Sequence, residues 1–210
     1  WRTYGLDDGL PSLDLTAVAV DDDGTVWAGA YDATVASLAP GEGAWTVHDV
    51  DPFIEGDDDS PREGPGSARV ADIAVGPDGR VWLAHGTQDV DKPAVSVFDP
   101  ADGAWHHIGA TNPLEPDAVG PATDQVLALA FDGEGVLWLG TAGRGAYAYD
   151  PAAGTWTRHT ESDGTCGDSV WALAPSADGV WIACATDPAG NGVAAWDGRG
   201  WTVLRTTDAL

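Results

Sequence analysis

Four stretches of the chain carry apolar residues in short runs with a period near two, and all four follow one order. They read LTAVAVDDDGTVWAGA from Leu15, RVADIAVGPDGRVWLAH from Arg69, QVLALAFDGEGVLWLGT from Gln125 and VWALAPSADGVWIAC from Val170. In each, an apolar run meets a turn rich in Asp and Gly. A second run follows, carrying Trp27, Trp82, Trp138 or Trp181. Two extended runs around such a turn predict a β-hairpin. A third run comes next: TVASL from Thr34, AVSVF from Ala94, GAYAY from Gly145 and GVAAW from Gly192. In the second and third units a tight turn of the form DPADG or DPAAG then leads into the fourth run. The four fourth runs are headed by Trp45, Trp105, Trp156 and Trp201. Each unit therefore holds four strands, a to d.

Tandem four-stranded units of this size predict an all-β fold, a β-propeller of four antiparallel blades in one domain over residues 1–210. The blades fall at about 14–48, 69–108, 125–159 and 169–204. Strand a is rich in alanine (Ala17, Ala19, Ala71, Ala74, Ala128, Ala130, Ala172 and Ala174), as the crowded centre of a propeller requires. The strand-b tryptophans are placed between neighbouring sheets, as core rather than as a sugar-stacking platform. The chain opens on WRTY, Trp1 to Tyr4, which matches WTRH in the third unit: an extra N-terminal strand d without its own a, b or c. Three arrangements stay open. The chain is a segment of a larger propeller, the favoured reading; or a closed four-bladed form with a displaced first strand; or one of two chains that associate through open strand edges, which invite pairing.

The segments DDGLPSLDLTAVAVDDDGTVWAGA and VLALAFDGEGVLWLGTAGRGAYAYDPAAGTWTRH resemble the two-component-regulator propeller repeat. The resemblance implies a sensor region of a bacterial hybrid histidine kinase or a related secreted protein. It also implies an extracytoplasmic or secreted location. It covers nearly the whole chain apart from the long insertions. The first unit departs after Trp27, with AGAYDAT where the third has LGTAGRG.

Charge narrows the partners. The chain has 34 acidic and 9 basic residues, for a net charge of -25. Such a surface repels phosphate backbones and anionic lipid, which argues against nucleic acid and membrane partners. The bland account of the charge is solubility in a high-salt or secreted setting. The chain contains no Met and starts at Trp1, which reads as a processed or excised piece.

Strand order fixes loop geography, because the d–a and b–c connections share one end of an antiparallel blade and the a–b and c–d turns share the other. The long segments are 49–67, 109–124 and 160–168 between blades, and 85–93 and 185–191 within them. All extra sequence thus falls on one face, and loops on a rigid scaffold carry function. Tyr31, Asp32, His85, Arg144, Asp187 and Asn191 stand at b–c positions and form the candidate ligand-binding set, with His85 the leading member. Asp57, Asp58 and Asp59 lie in the most acidic insertion and are the candidate metal ligands. Ca²⁺ suits such carboxylates, although the spacing is not that of an EF-hand and no other cofactor is indicated. His48 and His159 share a strand-d position with Ile108 and Leu204, so they read as packing. His106 and His107 alternate across one strand and make a poor chelating pair. Cys166 and Cys184 fall at the same end of neighbouring strands, which makes a disulfide or two free thiols the alternatives.

The chain contains no G-x-S-x-G, H-E-x-x-H, C-x-x-C or phosphate-loop motif. Its D-G-x-x-W hairpins are similar to those of the streptogramin B lyases, but no His and Glu pair here matches that active site. The reading is a non-catalytic propeller module that binds a small-molecule or protein ligand on the d–a and b–c face. A lyase or hydrolase and a purely structural array are the alternatives.

Overall fold

The computed structural model describes residues 1–32, 34–48, 69–86, 93–109, 125–177, 179–185 and 192–205. Among the described residues, alternating apolar runs and Asp-Gly turns build sixteen strands. The first sheet holds β1 (Leu15–Val20), β2 (Val26–Ala30), β3 (Val35–Leu38) and β4 (Thr46–Val47). The second holds β5 (Val70–Val75), β6 (Val81–His85), β7 (Pro93–Asp99) and β8 (Ala104–Gly109). The third holds β9 (Val126–Phe131), β10 (Leu137–Thr141), β11 (Ala146–Asp150) and β12 (Thr155–His159). The fourth holds β13 (Val170–Ser176), β14 (Gly179–Cys184), β15 (Gly192–Trp196) and β16 (Trp201–Arg205). Each is an antiparallel meander in chain order. Four such sheets side by side are the blades of a β-propeller.

Every strand a bears a bulge one residue after its start, at Thr16, Ala71, Leu127 and Trp171. A bulge adds one unpaired residue and strengthens the twist. Thr16 shows what the position does: its Oγ1 donates to the Val70 carbonyl of the next blade at 2.5 Å. The innermost strands pack in series, β1 on β5, β5 on β9 and β9 on β13. Close approach dictates small residues on strand b. A Cβ at Gly140 would lie 2.8 Å from Val170 Cγ1.

Among the described residues the core forms three clusters, one at each junction between successive blades. Between blades 1 and 2 lie Trp27, Val70, Ile73, Leu83 and Phe98. Between blades 2 and 3, Trp82, Leu129, Leu137 and Leu139 do the same. Trp138, Val170, Val180 and Ile182 fill the third junction. The strand-b tryptophans 27, 82 and 138 are 4%, 6% and 2% exposed, which fixes them as core. Trp181 holds the same strand position in blade 4 yet is 41% exposed. Among the described residues no comparable hydrophobic cluster joins blade 4 back to blade 1.

The first residues refine the expected extra strand. Trp1 to Tyr4 make no ladder. Trp1 is fully exposed, but Tyr4 takes a place equivalent to that of a strand-d residue. Tyr4 meets Trp45 edge-on at 5.9 Å, as His159 of β12 meets Trp201 at 5.6 Å. The following turns match as well. Gly5–Gly9 and Thr160–Gly164 each form a short 3-10 turn in which Asp8 or Asp163 accepts the backbone N–H three residues earlier.

Candidate binding face

The end bearing the b–c and d–a connections is tied together in series. Tyr31 follows β2, and its N–H donates to the Asp14 carbonyl just before β1 at 2.9 Å. The same bond recurs from Ala142 to Gln125 and from Ala185 to Ser169. Each blade then reaches the next. The Arg69 guanidinium stands over the Tyr31 ring at 5.8 Å. Gln125 donates to the Gly86 carbonyl at 2.6 Å. Gly145 donates to the Asp168 carbonyl at 2.7 Å. One rim thus links all four blades.

Tyr31 is 56% exposed on this rim. Asp32 beside it is fixed rather than free to reorient. Its Oδ1 accepts from Thr34 Oγ1 at 2.7 Å. Partial burial pushes its carboxyl up, but hydrogen bonds from Thr34 and Ser12 outweigh this and hold it below the ordinary carboxylate range. Arg144 is exposed in the turn after β10. Its N–H donates to Thr141 Oγ1 at 3.1 Å, and its carbonyl accepts from Arg158 Nε at 2.8 Å. The glycines on either side have φ of 102° and 83°, values that favour glycine. Tyr31 and Asp32 thus stand on blade 1 and Arg144 on blade 3, two separate places on the rim where a phenol with a carboxylate, and a guanidinium, can offer hydrogen bonds or stacking to a polar group.

His85 departs from the expectation that it contacts ligand. It is fully buried, and both ring nitrogens are engaged by protein atoms. Its Nδ1 lies 3.0 Å from the Arg69 carbonyl and must donate there. Its Nε2 therefore accepts, and the Ser96 hydroxyl donates to it at 2.7 Å. Ser96 Oγ in turn accepts from His107 Nδ1 at 2.9 Å. Burial pushes the His85 imidazole down to about 4, so it is neutral at neutral pH. The reason is the face on which it lies. His85 follows Leu83 on the side of blade 2 that packs against blade 1. Sequence reasoning missed Ser96 and His107 as its partners because the three are joined across strands b, c and d. It also missed Arg69, although a basic residue in so acidic a chain is itself a signal.

Cys166 and Cys184 form a disulfide, with Cα atoms 5.7 Å apart, that pins the d–a connection to the end of β14. Asp187, Asn191, Asp57, Asp58 and Asp59 lie outside the described residues. Among the described residues no group of three or more His, Cys, Asp or Glu side chains could hold a metal ion. His48 and His159 pack as expected, against Trp27 at 5.0 Å and Trp138 at 5.3 Å.

The fold and rim define a β-propeller of the repeat-array class. No family model and no curated protein matches the chain. Solved structures do. The virginiamycin B lyase of Staphylococcus aureus superposes with a TM-score of 0.63 at 13% identity, over 93% of this chain and 56% of the lyase. The extracellular domain assigned to the hybrid two component system BT3049 of B. thetaiotaomicron gives 0.63 at 12%, over 98% of this chain and 30% of that one. YCF48 bound to D1 peptide gives 0.53 at 15%, over 80% and 47%. The chain thus spans about half the length of the lyase and under a third of that extracellular domain. The two-component-regulator resemblance read from the repeats has its structural counterpart in BT3049. At these identities the likeness is one of fold.

Proposed function

We propose that this propeller is a non-catalytic binding module that recognises a protein or peptide segment on the rim formed by its b–c and d–a connections. The observation that carries the reading is the linked rim itself. Tyr31, Asp32 and Arg144 stand on it, the long connections leave from it, and Asp187 and Asn191 belong to the same set by blade position. YCF48, a neighbour in fold, is seen with a peptide, which supports a peptide-like ligand. Catalysis finds less support. Among the described residues the His85–Ser96–His107 chain comes nearest to a hydrolytic constellation, but Ser96 and His85 are fully buried, out of a substrate's reach. The disulfide agrees with an oxidising, extracytoplasmic compartment. Among the described residues no helix is long and apolar enough to cross a membrane.

The test is a diverse immobilised peptide library probed with the intact chain. Its hits are then measured in solution against Tyr31→Ala and Arg144→Ala. Both positions are exposed, so both variants should fold with unchanged melting temperature and lose affinity about tenfold or more. A library without hits, or hits indifferent to both substitutions, would overturn the proposal.

A further inference from the structure

Positive side chains are scarce here, with 9 basic residues against 34 acidic ones. Most of the described guanidinium groups near a turn or strand end are spent on protein acceptors. Arg2 donates to Asp8 and to the Gly43 carbonyl, Arg80 to Asp99, and Arg158 to the Arg144 carbonyl. Arg69 differs. Its side chain is exposed on the rim, and among the described residues its guanidinium meets no hydrogen-bond acceptor and no carboxylate.

Arg69 is nonetheless held at both ends. Its carbonyl accepts from the buried His85 ring at 3.0 Å, and the Ser96 hydroxyl fixes the other side of that ring at 2.7 Å. Its guanidinium stands over the Tyr31 ring of blade 1 at 5.8 Å. It also lies against Gly86, where a Cβ would be 3.4 Å from Arg69 Cζ and Nε. Gly86 is fixed in turn, because its carbonyl accepts from Gln125 of blade 3 at 2.6 Å. Three blades thus assemble one seat. A guanidinium held over a ring keeps its N–H edge for other partners, and that planar fork matches the two oxygens of a carboxylate. Side-chain freedom already given up in the free protein is not lost again on binding.

We propose that Arg69, held by Tyr31 and Gly86, is the seat for one carboxylate of the ligand that the rim receives. This rests on the reading of the rim as a peptide- or protein-binding face, and it names the group recognised there. The carboxylate is a free C-terminus or an Asp or Glu side chain of the bound segment, since both offer Arg69 the same two oxygens. The net charge of -25 narrows the rest of the ligand. It repels anions at a distance, so the occupant carries its carboxylate among neutral or basic residues and is not an acidic tract. Asp32, next to Tyr31 and fixed by Thr34, acts in the same sense against a second carboxylate nearby.

Ligand-observed NMR on the intact 210-residue chain tests this with three small probes. N-acetyl-leucine has a terminal carboxylate, N-acetyl-aspartic acid α-amide has a side-chain one, and N-acetyl-leucinamide has none. The expected result is saturable binding of at least one acid and none of the amide. Which acid binds tells a C-terminus from a side chain. Arg69→Gln should abolish binding. Arg69→Lys keeps the charge but loses the fork, and should weaken it about tenfold. Tyr31→Ala should weaken it about threefold by removing the ring. Both positions are exposed, so the variants should melt with the parent. Binding that survives Arg69→Gln, or that Arg69→Lys leaves unchanged, overturns the inference. So does an amide that binds as well as the acids, or no binding of either acid. Library peptides that keep their affinity for Arg69→Gln, and in fully amidated form, overturn the carboxylate seat while leaving the binding rim standing. Acid binding that needs Arg69, beside a library without hits, upholds the seat and removes the peptide.

Discussion

Asp132→Ala probes how the core tryptophans are held. In blade 3 the Trp138 indole donates to Asp132 Oδ2 at 2.9 Å, and Oδ1 accepts from the Glu134 and Val136 amides at 3.0 Å each. One carboxylate thus caps the a–b turn and satisfies a ring that is 2% exposed. Blade 1 repeats the device, with Trp27 donating to Asp21 at 3.1 Å. Blade 2 lacks it. Gly76 stands at that position, and Trp82 Nε1 is buried without a partner. Removing the Asp132 carboxylate strands a buried N–H at a cost of about 1–3 kcal/mol, while the two turn amides can rehydrate. The expected loss is therefore about 2–3 kcal/mol in urea unfolding followed by circular dichroism.

A double-mutant cycle isolates the bond from the packing. Trp138→Phe removes the donor, and the ring stacks on His159, so that variant alone also pays for lost contact. In the Asp132→Ala, Trp138→Phe pair nothing is left stranded. The coupling energy should be about 1–2 kcal/mol. The same cycle at Gly76 and Trp82, with Gly76→Ala as the first member, should show no coupling of hydrogen-bond origin. A coupling at Asp132 within about 0.3 kcal/mol of zero would refute the reasoning and reduce the aspartate to a turn residue.

Three further outcomes are expected. Replacing Cys166 and Cys184 with Ser should cost about 3 kcal/mol, because the bridge closes a loop of sequence separation 18 in the unfolded chain; chemical denaturation with and without reductant reads this. His85 is neutral in the folded state, with its folded value near 4 against 6.5 unfolded. The unfolded chain therefore binds more protons between those values, and stability falls as pH drops from about 6.5 to about 4, by about 3 kcal/mol from this group. Burial lowers His48 and His159 as well, in the same sense, so His85→Gln should flatten the pH profile of unfolding without abolishing it. Gly145→Ala should be among the costliest single changes, since φ there is 83° and a Cβ would run into the His159 carbonyl oxygen; a melting temperature close to that of the parent would contradict this.

The blades were legible because each restates one pattern. Trp27, Trp82 and Trp138 recur at a fixed distance after the Asp-Gly turn, and a recurring large ring at one register reads as core in any copy. The Ala-rich strand a was legible for the same reason. Side-chain networks across strands were not. His85, Ser96 and His107 are far apart in sequence, and only the register that sets Leu83 against Ser96, and Ser96 against His107, brings them to one face. Burial of His85 was hidden too, because its place at the end of strand b suggests the loop face, while the packing of blade 2 on blade 1 decides its environment. The exposure of Trp181 is the converse case: it has the register of a core residue, but no local pattern records whether a neighbour stands against it.

The last residue of strand b shows where this scaffold keeps its freedom. Ala30, His85, Thr141 and Cys184 hold that one position in the four blades, and all are buried. Each blade uses it to join the end of β-strand b to a neighbouring segment by different chemistry. Blade 1 relies on the backbone, with Ala30 N–H donating to the Thr34 carbonyl at 3.0 Å. Blade 2 uses imidazole to hold the Arg69 carbonyl. In blade 3 the Thr141 hydroxyl closes the turn onto Gly145 at 2.7 Å, and in blade 4 a covalent bond reaches Cys166. Four unrelated side chains at one buried position mean that the fold demands only a fastening there, not a residue type. What the fastenings share is their place, directly beneath the rim that carries Tyr31 and Arg144. On the proposed reading of the rim, fastening the described end of each strand b separately would leave a ligand less loop ordering to impose. For that reason Thr141→Ala, which touches no exposed side chain, should weaken ligand binding through Arg144 while leaving the Tyr31 side of the rim unchanged. Hydrogen exchange at the Gly143 to Gly145 amides would read the loosening directly. Unaltered protection there would show that the fastening serves stability alone.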